Sequence, residues 1–297
     1  MFDRSRLMRA ALAVTAAALL ALPRHAGAQP AAVTGEQRPV LEFGLGAGGA
    51  WRPDYPASDQ NRFTGLALPF LILRTDVLRS DATGTRGRLL RADWGEFNIS
   101  ASGTFPSSSS GNNAREGMPD LGWLGEIGPA VRLNLWTDPE RTRRIIMELP
   151  VRGAFSATTD PLAVRYRGLI FNPEIAWEQR NVVFPNARLR LGLGPIFGTD
   201  RFASYYYEVQ PEFARPNRPA YDARAGYIGT RLQGSFRVPV TERLSVAVGG
   251  RVDGFWGATN AGSPLFRSDL NVTLVAGVTW SLYQSTARVS ASAEPFD

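Results

Sequence analysis

The segment Asn271-Val272-Thr273-Leu274-Val275-Ala276-Gly277-Val278-Thr279-Trp280-Ser281-Leu282 decides the fold. Val272, Leu274, Ala276, Val278, Trp280 and Leu282 share one parity, and Asn271, Thr273, Gly277, Thr279 and Ser281 share the other. A period of two sustained over this length is a β-strand with one apolar and one polar face. Working upstream, Leu244, Val246, Val248 and Val252 alternate with Arg243, Ser245, Arg251 and Asp253, and Ile228, Leu232, Phe236 and Val238 with Arg231, Gln233, Ser235 and Arg237. The pattern continues with Leu189, Leu191 and Leu193 against Arg188 and Arg190, with Phe171, Ile175 and Trp177 against Asn172, Glu174 and Glu178, and with Ile145, Met147, Leu149 and Val151 against Glu148 and Arg152. Leu121, Trp123, Ile127, Val131, Leu133 and Leu135 alternate with Gly122, Glu126, Arg132 and Asn134. No comparable helical stripe follows residue 28.

A water-soluble sandwich and a barrel in lipid both alternate, so strand length and polar-face chemistry must separate them. These segments run about 12 to 16 residues, against about 5 to 6 in soluble sheets, and reach across a bilayer at a tilt. Arg and Glu in mid-strand suit a hydrated, charge-paired interior behind a lipid-facing apolar band. Trp51, Trp136, Trp177, Trp256 and Trp280 fall near strand ends, where an interfacial girdle places them. The expected fold is therefore all-β, an antiparallel transmembrane β-barrel.

Connection lengths fix its orientation, because such barrels have short periplasmic turns and long outward loops. Strands near 40–51, 64–75, 86–104, 120–136, 144–156, 164–178, 187–198, 225–238, 243–256 and 269–283 leave mostly long polar connections at 52–63, 105–119, 157–163, 199–224 and 257–268. That reading has about ten strands. It becomes twelve if 86–104 splits at Asp93-Trp94-Gly95 and the loop carrying Tyr205, Tyr206 and Tyr207 adds another. Pro129, Pro150, Pro173 and Pro195 cannot donate to a ladder and must fall at bulges or strand ends.

Composition narrows the chemistry. Of 297 residues, 33 are basic, 27 acidic, none is Cys and one, His25, is His. Every basic residue is Arg. Lysine Schiff bases, thiolate nucleophiles and disulfides are thereby excluded. Arg4, Arg6 and Arg9, an apolar run over 10–22 and the small residues Ala26-Gly27-Ala28 have the order of a cleaved secretory signal peptide, too short in its apolar part to span a bilayer. Cleavage after Ala28 removes His25, and with it Ser-His-Asp chemistry and most general-base catalysis near neutral pH. It also lowers the net charge from +6 to +3, which removes the main support for a nucleic-acid partner. The expected organisation is a signal peptide at 1–28, an N-terminal periplasmic segment at 29–39, the barrel at 40–283 and a tail at 284–297.

The run Pro53-Asp54-Tyr55-Pro56-Ala57-Ser58-Asp59 follows the Gly-rich first strand, and Leu68-Pro69-Phe70, Met118-Pro119-Asp120-Leu121-Gly122-Trp123 and Glu126-Ile127-Gly128-Pro129 come after it. Further on stand Tyr206-Tyr207-Glu208-Val209, Tyr221-Asp222-Ala223-Arg224-Ala225-Gly226-Tyr227 and Ser263-Pro264-Leu265. In order and spacing these resemble the family of the MltA-interacting protein and outer-membrane protein V, over nearly the whole chain beyond the leader. The resemblance implies a barrel in the outer membrane of a Gram-negative bacterium, in contact with outer-membrane lipid and without enzymatic activity or cofactor. It further implies a scaffold joining a lytic transglycosylase to a penicillin-binding murein synthase; the alternative is a narrow pore, or an osmotic-response or adhesion barrel. Pro53, Asp54, Tyr55, Pro56, Ser58 and Asp59 are family-motif positions to which the resemblance attaches no role.

Other features read as decoys. Gly44-Leu45-Gly46-Ala47-Gly48-Gly49 fits a dinucleotide fingerprint, but Trp51-Arg52-Pro53 follows where that motif needs a helix. Asp54 and Asp59 with Asp76 or Asp120 could hold calcium, yet no dense loop of carboxylates surrounds them, so no metal site is expected and the segment reads as a solvated outer loop. Residues 105–117, with Ser107, Ser108, Ser109 and Ser110 in succession, are composed like a flexible loop. Tyr205–Tyr207 with Arg215 and Arg218 suit either contact with a glycan or a partner surface, or a girdle or packed loop cap. Arg188, Arg190, Arg231, Arg237, Arg243 and Arg251 set against Glu148, Glu174 and Glu178 are expected to plug the lumen with ion pairs and leave no channel of porin width.

Overall fold

The computed structural model describes residues 37–73, 78–81, 84–92, 94–159 and 162–290. The expected signal peptide, residues 29–36 and residues 291–297 of the tail lie outside them, as does Asp76. The strands are β1 (Gln37–Pro39), β2 (Leu41–Pro53), β3 (Asn61–Leu73), β4 (Leu78–Asp81), β5 (Gly84–Ala92), β6 (Gly95–Thr104), β7 (Trp123–Thr137), β8 (Arg143–Thr159), β9 (Leu162–Phe171) and β10 (Glu174–Arg180). They continue with β11 (Arg188–Gly198), β12 (Gly226–Pro239), β13 (Leu244–Gly254), β14 (Leu270–Gln284) and β15 (Arg288–Ser290), and an α-helix, α1 (Asp200–Tyr207), leaves β11.

Thirteen strands form one antiparallel sheet in the order β3-β2-β14-β13-β12-β11-β10-β8-β7-β6-β5-β4, with β9 continuing the position of β10 between β8 and β11. Counting β9 and β10 as one interrupted stave gives twelve. The two ends of the order, β3 and β4, are consecutive in the chain, and their Cα atoms approach within 8 Å, so the ends of the sheet meet, with no ladder between these two strands among the described residues. Closure is what allows a sheet to sit in lipid, where an open edge would leave unpaired amides and carbonyls. The expected strand at 86–104 does break, into β5 and β6, as the twelve-stave alternative required. Its other condition fails: Tyr205–Tyr207 are helical, and the remaining stave is the short β4. Sequence pattern missed β4 because four residues carry too little alternation to register.

The burial pattern is that of a soluble protein turned inside out. Leu45, Leu68, Ile127, Ile175, Leu193, Leu232, Leu274 and Trp280 are exposed on the outside, while Glu42, Arg52, Asn98, Glu126, Arg132, Glu174, Glu178, Asp253, Asn271 and Ser281 are buried inside. Trp51, Trp136, Trp256 and Trp280 are exposed as a girdle requires, and Trp177 is half-buried. Ile228 departs from the expected register. A bulge opposite Ile196 and Phe197 turns it into the interior and leaves Tyr227 outside, its ring tilted against that of Phe197 at 5.8 Å between centroids.

The four prolines lie together. Between β7 and β8 the pairing skips from Ile127↔Gly153 to Ala130↔Pro150; between β8 and the next stave it skips from Val151↔Phe171 to Glu148↔Glu174; between that stave and β11 it skips from Phe171↔Phe197 to Ile175↔Leu193. Pro129, Pro150, Pro173 and Pro195 occupy these gaps on four neighbouring staves, each where no ladder hydrogen bond is demanded of it on that side. The backbones press close there: a Cβ on Gly194 would stand 1.8 Å from the Pro173 carbonyl oxygen.

Short turns mark one end of the barrel. Residues 138–142 turn on Asp138, whose carboxylate accepts the amides of Thr142 at 2.7 Å and Arg143 at 3.0 Å and the Thr142 hydroxyl at 2.7 Å. At this end β1 pairs with β15, so part of the N-terminal segment and part of the tail form a two-stranded ladder outside the barrel sheet. The opposite end carries the long connections 54–60, 105–122, 199–225 and 255–269.

Candidate functional site: a capped mouth above a charged lumen

The family-motif residues gather in the long connections, and these fold into one another across the barrel mouth. Pro53 closes β2. The Asp54 carboxylate accepts from Arg62 and, at 2.7 Å, from the Asn112 amide, while its backbone oxygen accepts the Ser107 hydroxyl at 2.5 Å. Tyr55 donates to the Leu265 carbonyl at 2.8 Å, and the Arg115 guanidinium lies 5.6 Å from its ring centroid. Burial raises the Tyr55 phenol above its ordinary value. Ala57, at φ 64°, donates its amide to Asn271 Oδ1 at 2.8 Å, and the Asn271 amide donates to the Ser58 carbonyl at 2.8 Å. Pro56 is half-buried; Asp59 is exposed, 3.9 Å from Arg267.

Two expectations are corrected here. The 53–59 segment is no solvated loop: Asp54, Tyr55, Ala57 and Ser58 are buried. Nor is 105–117 a flexible one, since Ser107, Ser109, Asn112 and Arg115 are buried as well. The physical reason is the same in both: polar side chains that local composition assigns to water find partners on loops far away in sequence. Arg115 donates to the Tyr206 and Pro119 carbonyls at 3.3 and 3.2 Å, and Arg52 donates to the Pro106 carbonyl at 2.6 Å and the Ser107 hydroxyl at 3.0 Å. Burial lowers the Arg115 pKa, yet carbonyls and a ring face accommodate the charge. Asp120 accepts the Ser109 amide at 2.6 Å, and no group of three carboxylates that could hold a metal occurs among the described residues.

Of the two readings of Tyr205–Tyr207, the structure has the packed cap. Tyr206 and Tyr207 are buried with Phe202, Val209, Phe255 and Leu265 in a continuous apolar cluster over the mouth. Tyr205 donates to the Gly122 carbonyl at 3.1 Å beneath Arg167, and Arg218 ties the carbonyls of Ala114, Glu116 and Phe213 together. Arg215 is exposed, 3.8 Å from Glu116. The helix docks on β9 through Thr199, whose hydroxyl accepts the Leu169 amide at 2.9 Å. Gly168 permits this approach, because at φ 97° a Cβ there would stand 2.3 Å from Thr199 Oγ1.

Below the cap the lumen holds ion pairs, of which Arg190 makes the expected ones with Glu148, Glu174 and Glu178, while Arg231 and Arg251 turn to Asp253. Glu148 accepts from Arg132 at 2.5 Å and Arg190 at 3.1 Å; Glu178 accepts from Arg144 at 2.6 Å and Arg190 at 3.2 Å; Arg190 also pairs with Glu174. Arg152 meets Glu126 at 2.9 Å and Arg231 meets Asp253 at 2.6 Å. Arg132, Arg144, Arg152, Glu126 and Asp253 were not in the expected set, although their parity placed them inside. Arg243 is no part of the plug: it lies in the exposed turn before β13. A cavity of about 410 Å³ remains between the cap residues Tyr55, Phe202, Tyr206 and Phe255 and these charges.

No curated protein matches the chain. Among solved structures it is similar to the NanC porin (10% identity, 80% of this chain, 100% of that one, TM-score 0.37) and to a bacterial polysaccharide outer-membrane secretin (9%, 82%, 99%, 0.37). It is also similar to the outer-membrane channel DcaP of Acinetobacter baumannii (9%, 81%, 96%, 0.30). The closed, inside-out sheet and its loop motifs find their counterpart in the family described as MltA-interacting protein MipA, which matches residues 45–282, so this outer-membrane β-barrel belongs to that family.

Proposed function

We propose that the protein is a non-enzymatic anchor for murein-processing enzymes, exported by a signal peptide cleaved after Ala28 and holding its partners at the periplasmic end. The observation that carries this reading is the obstruction of the barrel: a buried cap spans the outer mouth and ion pairs cross the lumen, so a wide conduit is not what the fold builds. The family's description supplies the partner class, a lytic transglycosylase, and a penicillin-binding murein synthase follows from the scaffold role. Partner contact falls to the turns 138–142, 181–187 and 240–243 and to the β1–β15 ladder, which share the end away from the cap. The motif residues Pro53, Asp54, Tyr55, Pro56, Ser58 and Asp59 serve to build the cap. Cross-linked envelopes are the test: the tagged barrel should retain a lytic transglycosylase and a penicillin-binding protein, and recovery of neither overturns the reading.

A second reading, a narrow pore or osmotic-response barrel, is favoured by the cavity left under the cap. Planar-bilayer recording separates the two. Large, stable, ohmic openings would place the pore first; an adhesion role would instead require binding to host surfaces through the exposed cap.

A further inference from the structure

Arg251, Thr273 and Arg52 stand side by side on the inner wall. Arg251 pairs directly with Thr273 across β13 and β14, and the residue after Thr273, Leu274, pairs with Trp51 on β2, next to Arg52. All three line the cavity beneath the cap. Each has a polar atom without a hydrogen-bond partner among the described residues: Arg52 Nε, the Thr273 hydroxyl and Arg251 Nε, whose one contact is the ion pair with Asp253 at 3.4 Å. Arg52 and Thr273 are more than nine-tenths buried, at 4% and 7% exposure.

Charge accounting sets these residues apart from the rest of the lumen. Arg132, Arg144, Arg152, Arg190 and Arg231 each have a carboxylate within 3 Å or are shared among several. Arg251 has only Asp253, at 3.4 Å, and that carboxylate is already held by Arg231 through two hydrogen bonds of 2.6 and 3.3 Å. Arg52 spends its terminal nitrogens on carbonyls and a hydroxyl, and the neighbouring Asp54 carboxylate is already paired with Arg62. Two weakly compensated positive charges flank one hydroxyl; Arg52 and Thr273 are shielded from bulk water, where a charge-assisted bond is strongest, while the Arg251 side chain keeps 34% of its surface open to the cavity. Above them Phe202, Phe255 and Ile228 form an apolar roof with Tyr206, whose phenol burial keeps protonated and which Arg251 faces closely enough to oppose that shift.

We propose that Arg251, Thr273 and Arg52 form a binding site for a small organic anion, with its carboxylate or phosphate between the Arg251 guanidinium and the Thr273 hydroxyl and its apolar remainder against the roof. About 410 Å³ holds a small molecule and no polymer. Titration calorimetry on the refolded, detergent-solubilised full-length barrel at low salt tests it, with benzoate, phenyl phosphate and neutral benzyl alcohol as probes. Saturable binding of benzoate or phenyl phosphate, with benzyl alcohol about tenfold weaker or more, is expected, and the tighter of the two anions assigns the head group. Arg251→Gln should weaken that binding about 10- to 100-fold while leaving Arg231 and Asp253 paired. Thr273→Val should weaken it and Thr273→Ser should retain it, which decides the matter should the arginine variant not fold. Equal binding of the neutral probe, no saturation of either anion at about 10 mM, or binding indifferent to Thr273→Val overturns the proposal. None of these outcomes bears on retention of murein enzymes.

Discussion

Glu148 and Glu174 stand directly opposite each other on β8 and β10, two carboxylates across one rung of the ladder. Like charges so placed repel, and Arg190 on β11 holds both of them together, reaching Glu178 as well. Arg190→Met should therefore lower stability by about 3–5 kcal/mol, because it leaves the buried Glu174 without its ion-pair partner, opposite a Glu148 that Arg132 still holds. Adding Glu174→Gln should recover part of that loss. Denaturant titration of the barrel refolded into vesicles measures both, and an additive double variant would refute the coupling.

Gly168 is where the barrel wall yields to the helix. Gly168→Ala meets both a positive φ and the Thr199 hydroxyl, at a cost of at least about 1–2 kcal/mol. The expected outcome is local: the variant keeps the heat-dependent electrophoretic mobility of a folded barrel, while residues 199–225 become open to protease added outside intact cells. Unchanged resistance would mean the helix is not held there.

Val248 faces lipid and Ser235 the lumen, on paired strands at neighbouring rungs. Val248→Arg should cost about 2–4 kcal/mol, and Ser235→Arg clearly less, in the same refolding titration. The reverse order would invert the assigned faces.

The Asp138 turn should open in acid. Its slight desolvation would raise the carboxyl pKa, but hydrogen bonds from Arg143 and Thr142 outweigh that and hold it below the ordinary value. A depressed folded-state pKa contributes stability in full above the ordinary value of about 3.9, and that contribution is lost as pH falls through the folded-state value. The protection factors of the Thr142 and Arg143 amides, taken against the intrinsic exchange rate at each pH, should be constant from neutrality to about pH 4 and fall below it.

The wall of the barrel was legible in the sequence because alternation is a local property: Leu274, Val278 and Trp280 announce their face within their own strand. Ile228 misled because the bulge that turns it inward depends on Ile196 and Phe197 in a different strand. The cap was illegible for a related reason. Four consecutive serines look like loop until Ser107 meets Asp54 and Arg52, and Arg115 looks solvated until it reaches the Tyr206 carbonyl. The Arg251–Thr273–Arg52 row needed the register between strands, which parity alone does not supply.

The row of prolines gives the barrel a crease. Along four adjacent staves the rungs that would brace one strand against the next are absent at nearly one height, so the sector from β7 to β11 is joined there by side chains and close backbone contact. The wall from β11 through β12, β13, β14 and β2 to β3 is laddered almost without interruption. A cylinder scored on one side bends toward the score. Lateral pressure from the bilayer, or tension from a periplasmic partner, would thus tilt the cap-bearing half of that sector about Pro129, Pro150, Pro173 and Pro195, while the Arg251 side of the wall keeps its shape.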